Sequence, residues 1–278
     1  MSRIYLKLVL RLKNEKIDII KIGGSTITVK KKYRVLRKKS LTLICEELAQ
    51  WNKKCIIVHG AGSFGHIIAS KYSIQQGFSD QEQLKGLLQI RKDMIELTET
   101  ITSCLISKGM KAFSFQTSAL VFEKEDGYSF YFDPIKKALS LGFCPILSGD
   151  ILFNETKGFR IYSGDALINL LVQNFDVDRV IFISDVDGLY LKDTEMHQNK
   201  LVDYIDSKSF ERSQISDLST EDLNDVTGRM KGKISEIKSI LKHVQKVILV
   251  NGFYPTRLKQ IREGKRFIGS VIIKENST

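Results

Sequence analysis

Proline is scarce in this chain, three residues in 278, and no low-complexity stretch marks a linker. Nothing therefore separates the chain into independent units, and 42% hydrophobic residues suffice to fill the core of one large domain. Long apolar runs are missing as well. The apolar start, residues 1–13, is broken by Lys7, Arg11 and Lys13. It is too interrupted for a secretory signal and too short to span a bilayer. Residues 1–16 read as an extension, ahead of a single domain over residues 17–278. Cysteine is sparse: Cys45, Cys55, Cys104 and Cys144 stand far apart in apolar stretches, with no CxxC pair. That spacing excludes a zinc ribbon or a disulfide scaffold and predicts buried, reduced thiols in a cytoplasmic protein. Two common kinase signatures are absent too, the P-loop GxxxxGKS/T and the HRD and DFG pair.

Acidic residues are in deficit, 32 against 43 lysines and arginines, for a formal charge of +11. The densest basic run is Lys30-Lys-Lys-Tyr-Arg-Val-Leu-Arg-Lys-Lys39; elsewhere lysines lie scattered between acids. Scattered charge reads as a solvated surface that draws in small anions. A nucleic-acid surface is the lesser alternative, since it would concentrate the charge with interleaved aromatics.

What is present is an alternation. Ile17 to Ile22, Cys55 to Val58, Lys111 to Phe115, Phe143 to Leu147, Val180 to Ser184, Val247 to Val250 and Phe267 to Ile273 read as short buried strands. Between them, about Arg37 to Trp51, Gln81 to Lys108, Gly164 to Asn174 and Thr227 to His243 have helical spacing, with an interruption expected near Gly86. Strands alternating with helices predict an open, mainly parallel sheet covered on both faces, a three-layer αβα sandwich. Asn154 to Gly158 reads as a hairpin turn, and the polar stretch from Asp193 to Asn224 as the most mobile part.

Glycine is concentrated in four places: Lys21-Ile-Gly-Gly-Ser25, His59-Gly-Ala-Gly-Ser-Phe-Gly-His66, Ser163-Gly-Asp165 and Asp225-Val-Thr-Gly-Arg-Met-Lys-Gly-Lys233. Three of them follow apolar runs, so each glycine cluster falls at a strand's carboxyl end. Bare backbone N–H groups can there approach an anion, helped by the positive end of a following helix. Gly60, Gly62 and Gly65 also form a GxGxxG. The acids about 20 residues on, Asp80 and Glu82, lie in a polar stretch instead of at a strand end, which weakens a dinucleotide reading.

Lys21 and Lys233 sit beside these loops, where a cation would neutralise charge on a transferring phosphoryl group; Lys30 is placed to do the same. Asp165 has two readings, holding lysines in position or capping the helix that begins there. Asp185 and Asp187 lack the later ligands of an EF-hand loop and read as nucleotide or magnesium-water contacts at a strand end. His66, closing the second loop, could donate to a bound phosphate, while His59 belongs to the strand and reads as structural. Phe64, Phe78, Phe113, Phe115, Phe130 and Phe132 could line an apolar pocket or simply fill the core.

In this order the motifs resemble the amino acid kinase superfamily and, within it, the isopentenyl phosphate kinase family, over roughly Ile17 to Ile273. The most specific element is Val58-His-Gly-Ala-Gly-Ser-Phe-Gly-His66, because superfamily members acting on amino acids lack the terminal histidine. Ile20-Lys-Ile-Gly-Gly-Ser25, Ser163-Gly-Asp165, Ser184-Asp-Val-Asp-Gly188, Asp225-Val-Thr-Gly228 and Lys233 support it. The resemblance implies an acceptor-binding half to about residue 165, an ATP-binding half from about 166, Mg²⁺, homodimerisation, and γ-phosphoryl transfer to isopentenyl monophosphate. It also implies roles. Lys21, Gly23, Gly24, Ser25, Gly62, Asp185, Gly228, Arg229 and Lys233 would meet the nucleotide, and Ala61, His66 and Gly164 the acceptor. Lys30 would stabilise the transition state, and Asp165 would orient the lysines. No protein metal ligand is implied. Ser148 stands where the family commonly has histidine, and Arg229 where it often has glycine.

A phosphate monoester is already an anionic nucleophile at neutral pH, so such a site needs cations and no carboxylate base. Two rivals remain at this level: a kinase of the same fold acting on another small phosphate or phosphonate such as fosfomycin, and a basic RNA-binding or regulatory module without catalysis.

Overall fold

The computed structural model of the chain describes residues 16–192, 199–212, 215–216 and 226–275. The N-terminal extension, apart from residue 16, and much of the polar stretch from Asp193 to Asn224 lie outside the described residues.

The apolar runs form the strands of one sheet: β1 (Ile17–Ile22), β2 (Cys55–His59), β3 (Ala112–Ser114), β4 (Cys144–Ser148), β5 (Val177–Ser184), β6 (Tyr204–Asp206), β7 (Lys246–Asn251) and β8 (Ser270–Ile273). Their spatial order is β6-β8-β7-β5-β1-β2-β4-β3. The β7–β8 pair is antiparallel, and the other neighbours run parallel. The central strands are apolar on both faces because both faces are covered. Alternate residues of β1 show it: Ile17 and Ile19 join one core cluster, Ile20 and Ile22 the other.

The principal helices are α1 (Gly24–Ile27), α2 (Lys38–Ala49), α3 (Gly62–Lys71), α4 (Glu82–Ser107), α5 (Gly164–Asn174), α6 (Val226–Leu241) and α7 (Thr256–Arg262). Leu167 and Leu171 of α5 and Ile237 and Ile240 of α6 fill the core on one face. On the other lie Leu41 and Ile44 of α2, Phe64 of α3, Leu97 and Ile101 of α4 and Leu258 of α7. This is the expected αβα sandwich around a mainly parallel sheet.

One local expectation changes, and one is met. The helix expected to break near Gly86 is continuous across all 26 residues of α4. A Cβ at Gly86 would come within 2.5 Å of the Tyr72 ring, so glycine there admits a neighbouring side chain and does not interrupt the helix. The turn at Asn154 to Gly158 joins antiparallel strands Asp150–Asn154 and Gly158–Tyr162, and this hairpin lies outside the main sheet.

The four cysteines are free thiols: Cys45, Cys55 and Cys144 are buried and Cys104 is half-buried. A hydrogen bond with Cys55, whose Sγ lies 3.5 Å away, and burial push the Cys144 thiol well above its ordinary range. No helix of the described residues is long and apolar enough to cross a membrane.

Candidate active site

β1 leads to β2 on one side of the sheet and β5 to β7 on the other, so the strand order reverses between β1 and β5. In open α/β sheets the carboxyl ends at such a point bound a ligand crevice. Here they carry the first two glycine segments and Asp185.

The first two glycine loops pack backbone against backbone. A Cβ on Gly24 would lie 2.3 Å from the Gly62 nitrogen, and one on Gly60 would lie 2.9 Å from the Gly24 nitrogen. The Gly23 N–H donates to the Ile183 carbonyl at 2.8 Å, tying the first loop to β5. Thr28, a residue with no motif to mark it, fastens the pair: its hydroxyl donates to the Gly24 carbonyl at 2.8 Å and accepts from Ser63 N–H at 3.0 Å. Gly62 has φ of 51°, and its added Cβ would meet Thr28 Oγ1 at 2.2 Å. Gly62→Ala combines left-handed backbone strain with overpacking and should cost about 2 kcal/mol or more of stability, read by urea denaturation. An unchanged midpoint would contradict this packing.

Lys21 points from β1 to the side of the sheet covered by α5. Its Nζ lies 2.5 Å from Asp165 Oδ1 and 5.8 Å from the centre of the Phe182 ring. A Cβ on Gly164 would lie 3.6 Å from Lys21 Cε, an ordinary contact distance, so the start of α5 packs directly beside the lysine stem. Of the two readings of Asp165, the helix cap falls to Ser163, whose Oγ accepts from Ala166 N–H at 3.0 Å. Asp165 instead pairs with Lys21.

Lys30 reaches Asp185 beyond β5, with Nζ 2.8 Å from Oδ2. Burial works to raise the Asp185 pKa, but the Lys30 hydrogen bond and charge, with the Ser25 hydroxyl, hold it below its ordinary value. Asp187 is engaged elsewhere, accepting from Arg257 at 2.5 Å and from Asn251 Nδ2 at 3.0 Å. Arg257 is buried and stacks over Tyr254. These two partners of Asp187 come from β7 and α7, far along the chain.

A cavity of about 130 Å³ opens beside Lys21. Its lining combines Gly60, Ala61, His66, Gly149, Ser163, Gly164 and Asp165 with the apolar side chains of Ala69, Ile90, Met94, Ile151 and Ile161 and with Tyr162. None of the six phenylalanines considered from the sequence lines it. Phe64 and Phe132 are core residues, Phe115 packs against the core, and Phe78, Phe113 and Phe130 are exposed. The apolar wall comes from α4 and the hairpin instead.

His66 does line the cavity, but it does not close a loop. α3 begins at Gly62, which places His66 in the second helical turn. Asp150 lies at the rim and accepts from Ser118 N–H at 2.9 Å and Ile151 N–H at 2.8 Å, with Arg91 Nη1 at 3.3 Å. Arg91 neutralises that carboxylate from α4, and nothing in its local sequence marked it.

His59 is fully buried under the loop. His59 Nε2 lies 2.9 Å from the Thr98 hydroxyl oxygen, whose own proton goes to the Met94 carbonyl at 2.8 Å, so Nε2–H donates to Thr98; Nδ1 lies 3.2 Å from the Gly60 carbonyl. Burial lowers its pKa from 6.5 to about 4, against the Gly60 hydrogen bond. The unfolded ring takes up its proton near pH 6.5 and the folded one only near pH 4. Stability from this group is therefore complete above pH 6.5 and lost as the pH falls to about 4, a change of roughly 3 kcal/mol. Urea denaturation at several pH values should show this slope, and His59→Gln should lack it.

The model of the amino acid kinase family matches residues 16–251. The chain belongs to that family. Among amino acid kinases it is similar to the isopentenyl phosphate kinase of Thermoplasma acidophilum, 31% identical over 257 residues that span 91% of this chain and 99% of that protein. The isopentenyl phosphate kinase of Methanothermobacter thermautotrophicus is 30% identical over 264 residues, 91% of this chain and 98% of that one. The crystal structure of the T. acidophilum isopentenyl phosphate kinase product complex has a TM-score of 0.77 at 27% identity, covering 94% of this chain and all of that chain.

On this amino acid kinase scaffold Lys21, Gly23, Gly24, Ser25, Lys30, Ala61, Gly62, His66, Gly164, Asp165 and Asp185 gather at one end of the sheet. Gly228, Arg229 and Lys233 fall in the first half of α6, which begins at Val226 and absorbs the turn expected at Thr227 and Gly228. The side chains of Arg229 and Lys233 lie outside the described residues.

Proposed function

We propose that the protein transfers the γ-phosphoryl group of ATP to the phosphate of isopentenyl monophosphate, forming isopentenyl diphosphate. The observation that carries this reading is the mixed lining of the cavity, phosphate-binding groups together with aliphatic side chains. A phosphate suits Lys21, His66 and the Ala61 and Gly164 backbone, and a short branched hydrocarbon suits Ile90, Met94, Ile151 and Ile161. An amino-acid acceptor would have to bury its ammonium and carboxylate against that aliphatic wall.

In this reading the acceptor phosphate is its own nucleophile. Lys21, held by Asp165, faces the charge that accumulates as two phosphates approach, and the His66 ring supplies an N–H donor. The nucleotide phosphates lie over Gly23, Gly24, Ser25 and Gly62, with Lys30 and Asp185 beside them and Gly228, Arg229 and Lys233 contributed by α6. Asp165 thus stands where an acceptor-binding half meets an ATP-binding half. Among the described residues no three His, Cys, Asp or Glu converge as a metal cage. Mg²⁺ would then be carried on the nucleotide phosphates, with the Asp185 carboxylate beside them. Bound there, the ion would neutralise phosphate charge. A cytoplasmic homodimer completes the proposal, and sedimentation equilibrium tests its stoichiometry.

The deciding experiment is ADP release with a panel of acceptors: isopentenyl monophosphate, fosfomycin and an N-acylated amino acid. Turnover with isopentenyl monophosphate at a kcat/KM at least about 100-fold above the others is expected, a margin of about 2.7 kcal/mol. Preference for fosfomycin would assign the cavity to a phosphonate, and no turnover with any acceptor would remove the catalytic reading.

A further inference from the structure

The basic run around Lys30 folds as a tight turn docked on α4. Val29 N–H donates to the Val35 carbonyl at 2.9 Å, and Thr28 bridges to Leu36, so Lys30, Tyr33 and Arg34 ride on one closed turn. The turn is fastened to Asp93. The Tyr33 hydroxyl donates to Asp93 Oδ2 at 2.5 Å, Gln89 Nε2 donates to Oδ1 at 2.9 Å, and Arg34 Nε lies 3.4 Å from Oδ1. Arg34 also pairs with Glu96 and lies over the Phe64 ring.

Asp93 is completely buried on the α4 face that also carries Ile90, Met94 and Leu97. A carboxylate is a costly way to fill a core position, because it must be fully paired to be tolerated, whereas an apolar side chain there would pack without penalty. What the carboxylate adds is a directional hold on the turn. Opposite that hold, Lys30 extends a half-exposed side chain to Asp185. A lysine stem is flexible, so where its ammonium sits depends on where the turn sits.

We infer that the Tyr33–Asp93 contact is a latch that positions Lys30 at the phosphoryl-transfer centre, with Tyr33 and Asp93 acting as positioning residues. The inference rests on the reading of Lys30 given above. Because the latch is built on the helix that walls the acceptor cavity, it sets the Lys30 ammonium relative to the bound acceptor as well as to Asp185.

The test is a double-mutant cycle between the latch and Lys30. Tyr33→Phe removes one hydroxyl from a partly exposed ring and spares the buried carboxylate, so it keeps the fold where Asp93→Asn could lose it. Loss of a hydrogen bond to a charged group should lower kcat about tenfold, with KM for ATP and for the acceptor changed less than about twofold. In a Lys30→Ala background the same substitution should have no further effect on kcat. A Tyr33→Phe enzyme with normal kcat, or a loss that multiplies onto that of Lys30→Ala, overturns the latch while leaving the role of Lys30 standing. Undiminished kcat in Lys30→Ala itself overturns both.

Discussion

Lys21→Ala is expected to lower kcat by about 100-fold or more in a protein that remains folded, the size seen when one preorganised charge is removed from a transition state. Two effects combine. The cation that faces the merging phosphates is lost, and Asp165, now without the ammonium 2.5 Å away, adds less compensated negative charge to the cavity wall. The second effect weakens acceptor binding as well, so the acceptor KM should rise while that for ATP changes less. Asp165→Asn in the Lys21→Ala background should recover acceptor binding but not kcat, which separates repulsion from lost stabilisation. Steady-state kinetics beside circular dichroism measures both. Near-normal turnover in folded Lys21→Ala would remove the lysine from the reaction. Lys233→Ala, read from the motif alone, is expected to lose a similar factor.

His66→Ala is expected to lower kcat/KM for isopentenyl monophosphate about 100-fold while ATP affinity stays within a few-fold. His66 lines the cavity with Ala61 and Gly164, and its ring can donate to a phosphate without acting as a base. His66→Gln keeps a donor and should recover part of the loss; His66→Leu should not. The neighbouring His59 provides a control. It is buried and hydrogen-bonded to Thr98, so His59→Ala should chiefly lower stability. Full activity in His66→Ala would dissociate the loop histidine from acceptor binding.

The sequence was most informative where chemistry and local structure coincide. β-branched runs ending in glycine announce strands that open into anion-binding loops, and Lys21, Gly24, Gly62 and Gly164 are found where that logic puts them. Asp165 had two readings from the sequence, and only the geometry of α5 decides between them, giving the cap to Ser163 and leaving Asp165 with Lys21. His66 lines the cavity but in a setting other than the expected one, because the helix starts four residues earlier than the glycine spacing suggested. The phenylalanines were open between pocket and core, and Phe64 and Phe132 prove to be core. Aromatic bulk serves a core as readily as a pocket, and the wall is supplied by Ile90 and Met94 of α4 with Ile151 and Ile161 of the hairpin.

What the sequence did not disclose are partnerships across long separations. Tyr33 with Asp93, Arg91 with Asp150 and Arg257 with Asp187 join residues about 60 to 70 positions apart. No local spacing encodes such pairs, and a lone arginine on a helix looks like any solvated charge. Thr28 was invisible likewise, a single hydroxyl whose importance comes only from the backbone groups that two other loops bring to it.

The acceptor atom can be observed directly by ³¹P NMR of a reaction containing the protein, Mg-ATP and isopentenyl monophosphate. The account predicts loss of the monoester resonance and growth of two mutually coupled doublets from a new P–O–P linkage, in step with ADP. A monoester resonance that persists while ATP is consumed, with inorganic phosphate as the new signal, would contradict it.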